Sequence, residues 1–285
     1  MNLMCMILFL ILAPFAGGLI AGLDRIVTAR MQGRVGPPIL QPFYDIGKLF
    51  EKDKLRINGI QSFCILSYFV LILVTGSIFF SGGDLLLVAF SLMLAHVFLV
   101  LAGETANSPY SHIGAQRELL QVMAVEPMLI LYAVAFYIVA GSFTVTSIIE
   151  QGTFGISYIW LLPGVFLGLV YIFTIKLRKS PFDLSTSHHA HQELVKGLTT
   201  EISGSNFGLY EIAHLYEVVI LLGMIGIFFA GNPLLGICVL VLLYLLEVFI
   251  DCSTARVKWQ LMITSSWLVI GLIAFVNIIA LSLFG

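Results

Sequence analysis

The sequence predicts an all-α, polytopic membrane protein of about eight transmembrane helices with large cytoplasmic loops, folded as one integral domain over residues 1–285. Three observations predict it. Apolar residues make up 59% of the chain and charged residues 11%, with a mean hydropathy of +1.04, far from the soluble average. The apolar residues fall in continuous blocks of about 20, the length a helix needs to cross a hydrocarbon core of about 30 Å, and not in the ten-residue alternating segments of a membrane barrel. All 14 Lys and Arg fall in alternate connections between those blocks.

The first span covers residues 3–23. No basic residue precedes it and a strongly charged segment follows, so it reads as a retained helix and not a cleaved signal. The connection after it, DRIVTARMQGRVGPPILQPFYDIGKLFEKDKLRING, is interrupted at Gly36-Pro37-Pro38. Its segment 42–50 has apolar residues spaced for a short helix lying against the bundle. Spans two and three cover 60–80, with only residues 81–84 to follow, and 85–103, which carries His96 and ends at Glu104. Span four covers 122–140. Glu118 and Glu126, eight residues apart, stand about 80° apart around one helix and can face one cavity. Glu126 precedes Pro127, which predicts a local helix break there. Spans five to eight cover 159–175, 212–230, 233–250 and 263–284; the sixth carries His214 and Glu217, and the seventh ends near Glu247 and Asp251. Seven bases follow span one, one follows span three, four follow span five and two follow span seven. The positive-inside rule therefore puts both termini outside and the charged loops in the cytoplasm.

The connection KLRKSPFDLSTSHHAHQELVKGLTTEISGSNFGLYE holds Asp183, Glu193, Glu201 and Glu211 with His188, His189 and His191. Turn chemistry needs few polar residues, so this density points to proton handling or to docking of a partner. Acids within a span are costly and usually face protein or water. Glu104, Glu118, Glu126, Glu217, Glu247 and Asp251, with His96 and His214, accordingly form a candidate chain of proton acceptors. The alternatives are structural: Glu104, Glu247 and Asp251 could mark span ends, His96 could be a satisfied interhelical hydrogen bonder, and the basic first loop could lie on anionic lipid. Cys5, Cys64, Cys238 and Cys252 are scattered, which gives no iron–sulfur or zinc spacing. The three histidines are too crowded to make a zinc site without a distant ligand, and protonation or a structural hydrogen bond is the preferred reading. No phosphate loop, dinucleotide fingerprint or hydrolytic triad is present. Any redox cofactor therefore belongs to another subunit.

GRVGPPILQPFYDIGKL, GAQRELLQVMAVEP, and SPFDL followed by ELVKGLTTEISGSNFGLYE resemble the membrane subunit shared by respiratory complex I and the energy-converting nickel–iron hydrogenases. The resemblance covers essentially the whole chain. It implies that Arg25 and Arg34 are first-loop arginines near the junction with a peripheral arm, and that Asp45 and Lys48 belong to its amphipathic helix. Arg117 and Glu126 match an Arg and Glu nine residues apart, and Asp183, Glu193 and Glu201 match an acidic loop. Arg25, Arg34, Asp45, Lys48, Arg117, His188, His189 and His191 are the expected subunit interface. STSHHAHQ replaces most of the usual acids before ELV, and the first loop is short, which weigh against a quinone site. SHHAHQELVKGLTTE looks most like the Ech-type hydrogenases. That likeness implies a non-catalytic, energy-coupling anchor in a prokaryotic inner membrane, linking a ferredoxin-dependent hydrogen-evolving arm to proton or sodium translocation. The expected partners are the nickel–iron large and small subunits, an iron–sulfur subunit, an antiporter-like membrane subunit and the lipid bilayer, with the nickel–iron centre and the iron–sulfur clusters in those partners; nothing points to nucleic acid. The rival readings are a quinone-site subunit of a complex I-like oxidoreductase and a passive anchor without an ion path.

Overall fold

The computed structural model describes residues 2–52, 58–153, 155, 158–186, 194 and 196–284. Among these the chain is helical, and the one β-type contact is an isolated bridge between Asp84 and Thr144. The helices are α1 (Asn2–Met31), α2 (Gln41–Glu51), α3 (Gly59–Phe80), α4 (Leu85–Glu104), α5 (Pro109–Ala140), α6 (Val145–Thr153), α7 (Tyr158–Leu161), α8 (Pro163–Lys176), α9 (Gly204–Gly226), α10 (Pro233–Ser253), α11 (Trp259–Leu268) and α12 (Val276–Phe284). A π-helical stretch, Val269–Phe275, joins the last two. Seven segments among the described residues are long and apolar enough to cross a membrane. The fold is the polytopic helical bundle that the hydropathy predicts.

The fifth predicted span departs from the pattern. Its apolar run is split at Leu162, which leaves helical geometry (φ −121°, ψ 45°) before Pro163 opens α8. Proline disfavours a helical residue before it and has no N–H to continue a preceding helix. The remaining helix has 14 residues, about 21 Å at 1.5 Å per residue. Pro127 has the opposite outcome, and the predicted break at Glu126 does not occur. Helix α5 runs unbroken for 32 residues with Pro127 inside it, because neighbouring elements pack around it and buried Val125, Met128 and Leu129 flank the proline. Such prolines are tolerated in membrane helices where neighbours support the backbone. Because α5 begins at Pro109, Arg117 sits on a helix instead of in a connection, while Glu118 and Glu126 share that helix as expected.

Burial shows which helix is central. The apolar window of α9 is 67% buried, against 17% for α10 and 22% each for α1 and the final helix. Helix α9 therefore forms the axis, touching α1, α2, α3, α8 and α10, while α5 packs against α4, α8 and α11. Lipid offers no hydrophobic drive between helices, so close packing must hold them. At Gly114 a Cβ would stand 2.2 Å from the backbone nitrogen of Leu198, and at Gly197 (φ 41°) one would stand 2.1 Å from the Ser185 carbonyl oxygen. Those two glycines seat the 3₁₀ turn Gly197–Thr199 directly on α5. The last part of the long polar connection is thus held against the bundle centre.

Candidate functional site

At that centre, five helices and one connection bring ionisable side chains together out of contact with solvent. Glu118, one turn below Gln121 on α5, meets Arg178 just beyond α8, with Oε1 2.6 Å from the guanidinium. The two side chains are 3% and 6% exposed. The Ser185 hydroxyl donates to Glu118 Oε2 at 2.6 Å and lies 3.1 Å from Gln121 Oε1. Gln121 in turn donates to the Phe182 carbonyl at 2.8 Å, which ties the SPFDL segment to α5. Arg178 occupies the left-handed region (φ 52°), a conformation that costs a non-glycine residue about 1–2 kcal/mol. Its pairing with Glu118 offsets that cost, and it also donates to the Tyr210 hydroxyl at 2.8 Å and stacks over that ring at 5.7 Å.

A second cluster joins through the aromatic rings. Tyr210 lies 6.2 Å from Tyr68 of α3, whose hydroxyl donates to Glu217 Oε2 of α9 at 3.2 Å. Glu217 Oε1 stands 2.9 Å from His96 Nε2 of α4 and 3.5 Å from Lys176 Nζ of α8, while His214 Nδ1 lies 3.8 Å from Oε2. His96 Nδ1 is 2.8 Å from the Leu92 carbonyl oxygen. A carbonyl only accepts, so Nδ1 carries a hydrogen. Nε2 then faces two partners with one bonding position, because Lys176 Nζ is also 2.8 Å away. A neutral imidazole accepts from Lys176; an imidazolium donates to Glu217. A cavity of about 10 Å³ is lined by Glu118, Gln121, Lys176 and Arg178 with Val122, Val125 and Ile175. That is about the volume of one water-sized sphere.

The structure sorts the sequence-derived candidates. His96, Glu118, His214 and Glu217 converge as just described. Glu126 is half-buried on α5 and makes no side-chain hydrogen bond among the described residues. Glu104 instead meets His112 at 2.8 Å at the partly exposed junction of α4 and α5, and Glu201 accepts from the Asn107 backbone at 3.1 Å nearby. Glu211 is half-buried on α9, and Asp183 is buried behind Phe182. Glu193, His188, His189 and His191 lie outside the described residues. Lys176, Arg178, Tyr68, Tyr210, Gln121 and Ser185 were missed. A topology count treats Lys176 and Arg178 as loop bases, although their position directly against an apolar run with no turn residue between was the available signal. No base stands in the span that carries Glu217, and Lys176 reaches it from another helix.

The interface candidates are more exposed. Arg25 of α1 pairs with Asp45 of α2 at 2.6 Å, and Gln41 donates to the same carboxylate at 3.0 Å. Burial raises the Asp45 pKa, but the hydrogen bonds from Arg25 and Gln41, with the charges of Arg25 and Lys48, outweigh it and hold the carboxyl below its ordinary value. Arg34 is exposed and contacts Gln32, Lys48 is exposed on α2, and Arg117 is half-buried on α5. Among the described residues no group of three or more His, Cys, Asp or Glu is placed to hold a metal ion.

A profile of the NADH dehydrogenase family matches residues 3–282. Hydrogenase-4 component C of Escherichia coli K12 is 32% identical over 215 residues, spanning 71% of this chain and 66% of that protein. Formate hydrogenlyase subunit 4 of the same organism is 28% identical over 296 residues, 92% of this chain and 94% of that one. Among solved structures, a chain of the membrane-bound sulfane sulfur reductase, an archaeal respiratory membrane complex, superposes with a TM-score of 0.80 at 26% identity over 98% of both chains.

Proposed function

From the premise that the chain belongs to the NADH dehydrogenase family, whose members similar to it are subunits of hydrogenase and respiratory membrane complexes, we propose that it is the membrane anchor and energy-coupling subunit of an Ech-type, ferredoxin-dependent, hydrogen-evolving hydrogenase. In this reading it sits in a prokaryotic inner membrane with both termini outside and its charged loops in the cytoplasm. The first loop, ordered by Arg25 and Asp45, receives the nickel–iron and iron–sulfur subunits, and an antiporter-like subunit lies alongside. The nickel–iron and iron–sulfur groups stay in those partners; this chain moves protons.

The observation that carries the reading is the buried network from Ser185 through Glu118, Arg178, Tyr210, Tyr68 and Glu217 to His96 and Lys176. Burying a charge without a partner costs several kcal/mol. Neighbouring charges therefore govern one another's protonation strongly. A partner that displaces the connection carrying Arg178 and Ser185 would strip Glu118 of both its donors, and the carboxylate would then bind a proton. The reverse movement would release it toward Lys176, His96 and Glu217. Redox work done at the loop thus becomes a proton displacement in the bundle. The test is Glu217→Gln in membrane vesicles carrying the complex. We expect intact assembly and hydrogen evolution from reduced ferredoxin, with ion uptake per hydrogen reduced at least severalfold; an unchanged ratio would sink the coupling role and leave a passive anchor. Quinone reduction by the same complex, without nickel in the co-purified partners, would make the chain a quinone-site subunit instead.

A further inference from the structure

A second group of acids lies away from the network, where α1, α10 and the residues after α8 meet. Glu247 on α10 is 4% exposed, and its Oε1 is buried with no hydrogen-bond partner among the described residues. Three groups face it. Asp251 stands one turn further along α10 and accepts from the Ser180 backbone N–H at 3.0 Å. Lys179 is ion-paired with Asp24 of α1 and sits 5.5 Å over the Tyr244 ring. Tyr244 stands one turn before Glu247 on α10, with its ring beneath Lys179. Asp24 keeps a second buried oxygen without a partner among the described residues.

Lys179, the cation nearest at hand, is committed to Asp24 and makes no ion pair with Glu247 among the described residues. Among the described residues Glu247 has neither a cation at hydrogen-bond distance nor a donor on Oε1. An ionised carboxyl so placed is costly, and a neutral one carries its own donor. We propose that Glu247 is a proton-binding site separate from the central network, a carboxyl that takes up and releases a proton with Lys179 and Asp251 setting how tightly the proton is held. No side-chain hydrogen bond among the described residues links Glu247 to Glu118 or Glu217; the backbone between Lys176 and Ser180 runs from one group to the other. The site does not depend on the coupling role proposed above, and its readout is not turnover.

Native membranes holding the assembled complex are treated with dicyclohexylcarbodiimide, an apolar reagent that adds to protonated carboxyls, across about pH 6 to about pH 9, and the α10 peptide is read by mass spectrometry. We expect labelling at Glu247 that falls with rising pH and disappears in Glu247→Gln. Removing the neighbouring cation in Lys179→Gln should carry labelling to higher pH, and removing the neighbouring anion in Asp251→Asn should confine it to lower pH. The infrared protonated-carboxyl band at low pH should be smaller in Glu247→Gln, which separates an ionised carboxyl from one the reagent cannot reach. A band and a labelling pattern both unchanged by Glu247→Gln, or shifts of the same sign in the two neighbour variants, would overturn the assignment. Protection by sodium but not potassium at equal ionic strength would make this a cation site and would overturn it as well.

Discussion

The Glu118–Arg178 pair predicts a stability pattern that a superficial contact would not produce. Arg178→Gln removes the cation from a carboxylate whose side chain is 3% exposed and leaves it with the Ser185 hydroxyl as its remaining side-chain donor. Breaking one side of a buried pair costs about 3–5 kcal/mol, because the survivor is a buried, uncompensated charge. Glu118→Gln should cost a comparable amount, since it strands Arg178, whose other side-chain acceptor is the Tyr210 hydroxyl. The double variant strands neither charge, so it should be much milder than the sum, with a coupling on the order of 2–3 kcal/mol. The assay is the thermal midpoint of the solubilised complex, followed by fluorescence-detected gel filtration for wild type, both single variants and the double. Singles that add within about 0.5 kcal/mol would show that the two groups act independently, and the network would lose its first link.

Three further outcomes follow from the geometry. Gly114→Ala places a Cβ 2.2 Å from the Leu198 nitrogen and should cost about 1–3 kcal/mol through overpacking; an unchanged thermal midpoint would show that the Gly197–Thr199 turn does not seat on α5. Asp45→Asn should cost only about 0.2–1 kcal/mol at neutral pH, because both partners are more than 40% exposed and salt screens them. The folded Asp45 pKa is lowered, so its contribution is fully present above the unfolded value of about 3.9 and is lost as pH falls through the lower folded value; thermal melts of the two proteins should converge there, and a gap that widened on acidification would contradict the pairing. Finally, Tyr68→Phe removes the hydroxyl 3.2 Å from Glu217 and should slow ion uptake in vesicles while leaving the thermal midpoint within about 1.5 kcal/mol; normal uptake would take Tyr68 off the path.

Much of the architecture was legible because lipid imposes one rule on every span. Apolar length, the alternation of basic connections and the amphipathic segment that became α2 could all be read residue by residue. The placement of α8 was less legible, since the same apolar run breaks or continues depending on how neighbours support the backbone at Pro163 and Pro127. The acids of the site announced themselves by their cost in a span. Their counter-charges did not, because Arg178 lies 60 residues from Glu118 and Lys176 lies 80 from His96. Pairings at that distance are set by how helices stack, which no local pattern encodes.

The segment KLRKS runs from the last residue of α8 into the polar connection. Lys176 and Arg178 turn toward Glu217 and Glu118, whereas Lys179 and the Ser180 amide turn toward Asp24 and Asp251. Five consecutive residues therefore hold the ties of two separate acid groups, much as one bar carries both contacts of a double-pole switch. A displacement of that bar pulls on both sets of ties. Any subunit that grips the loop beyond it would throw both at once, and their timing would be locked together by covalent chain.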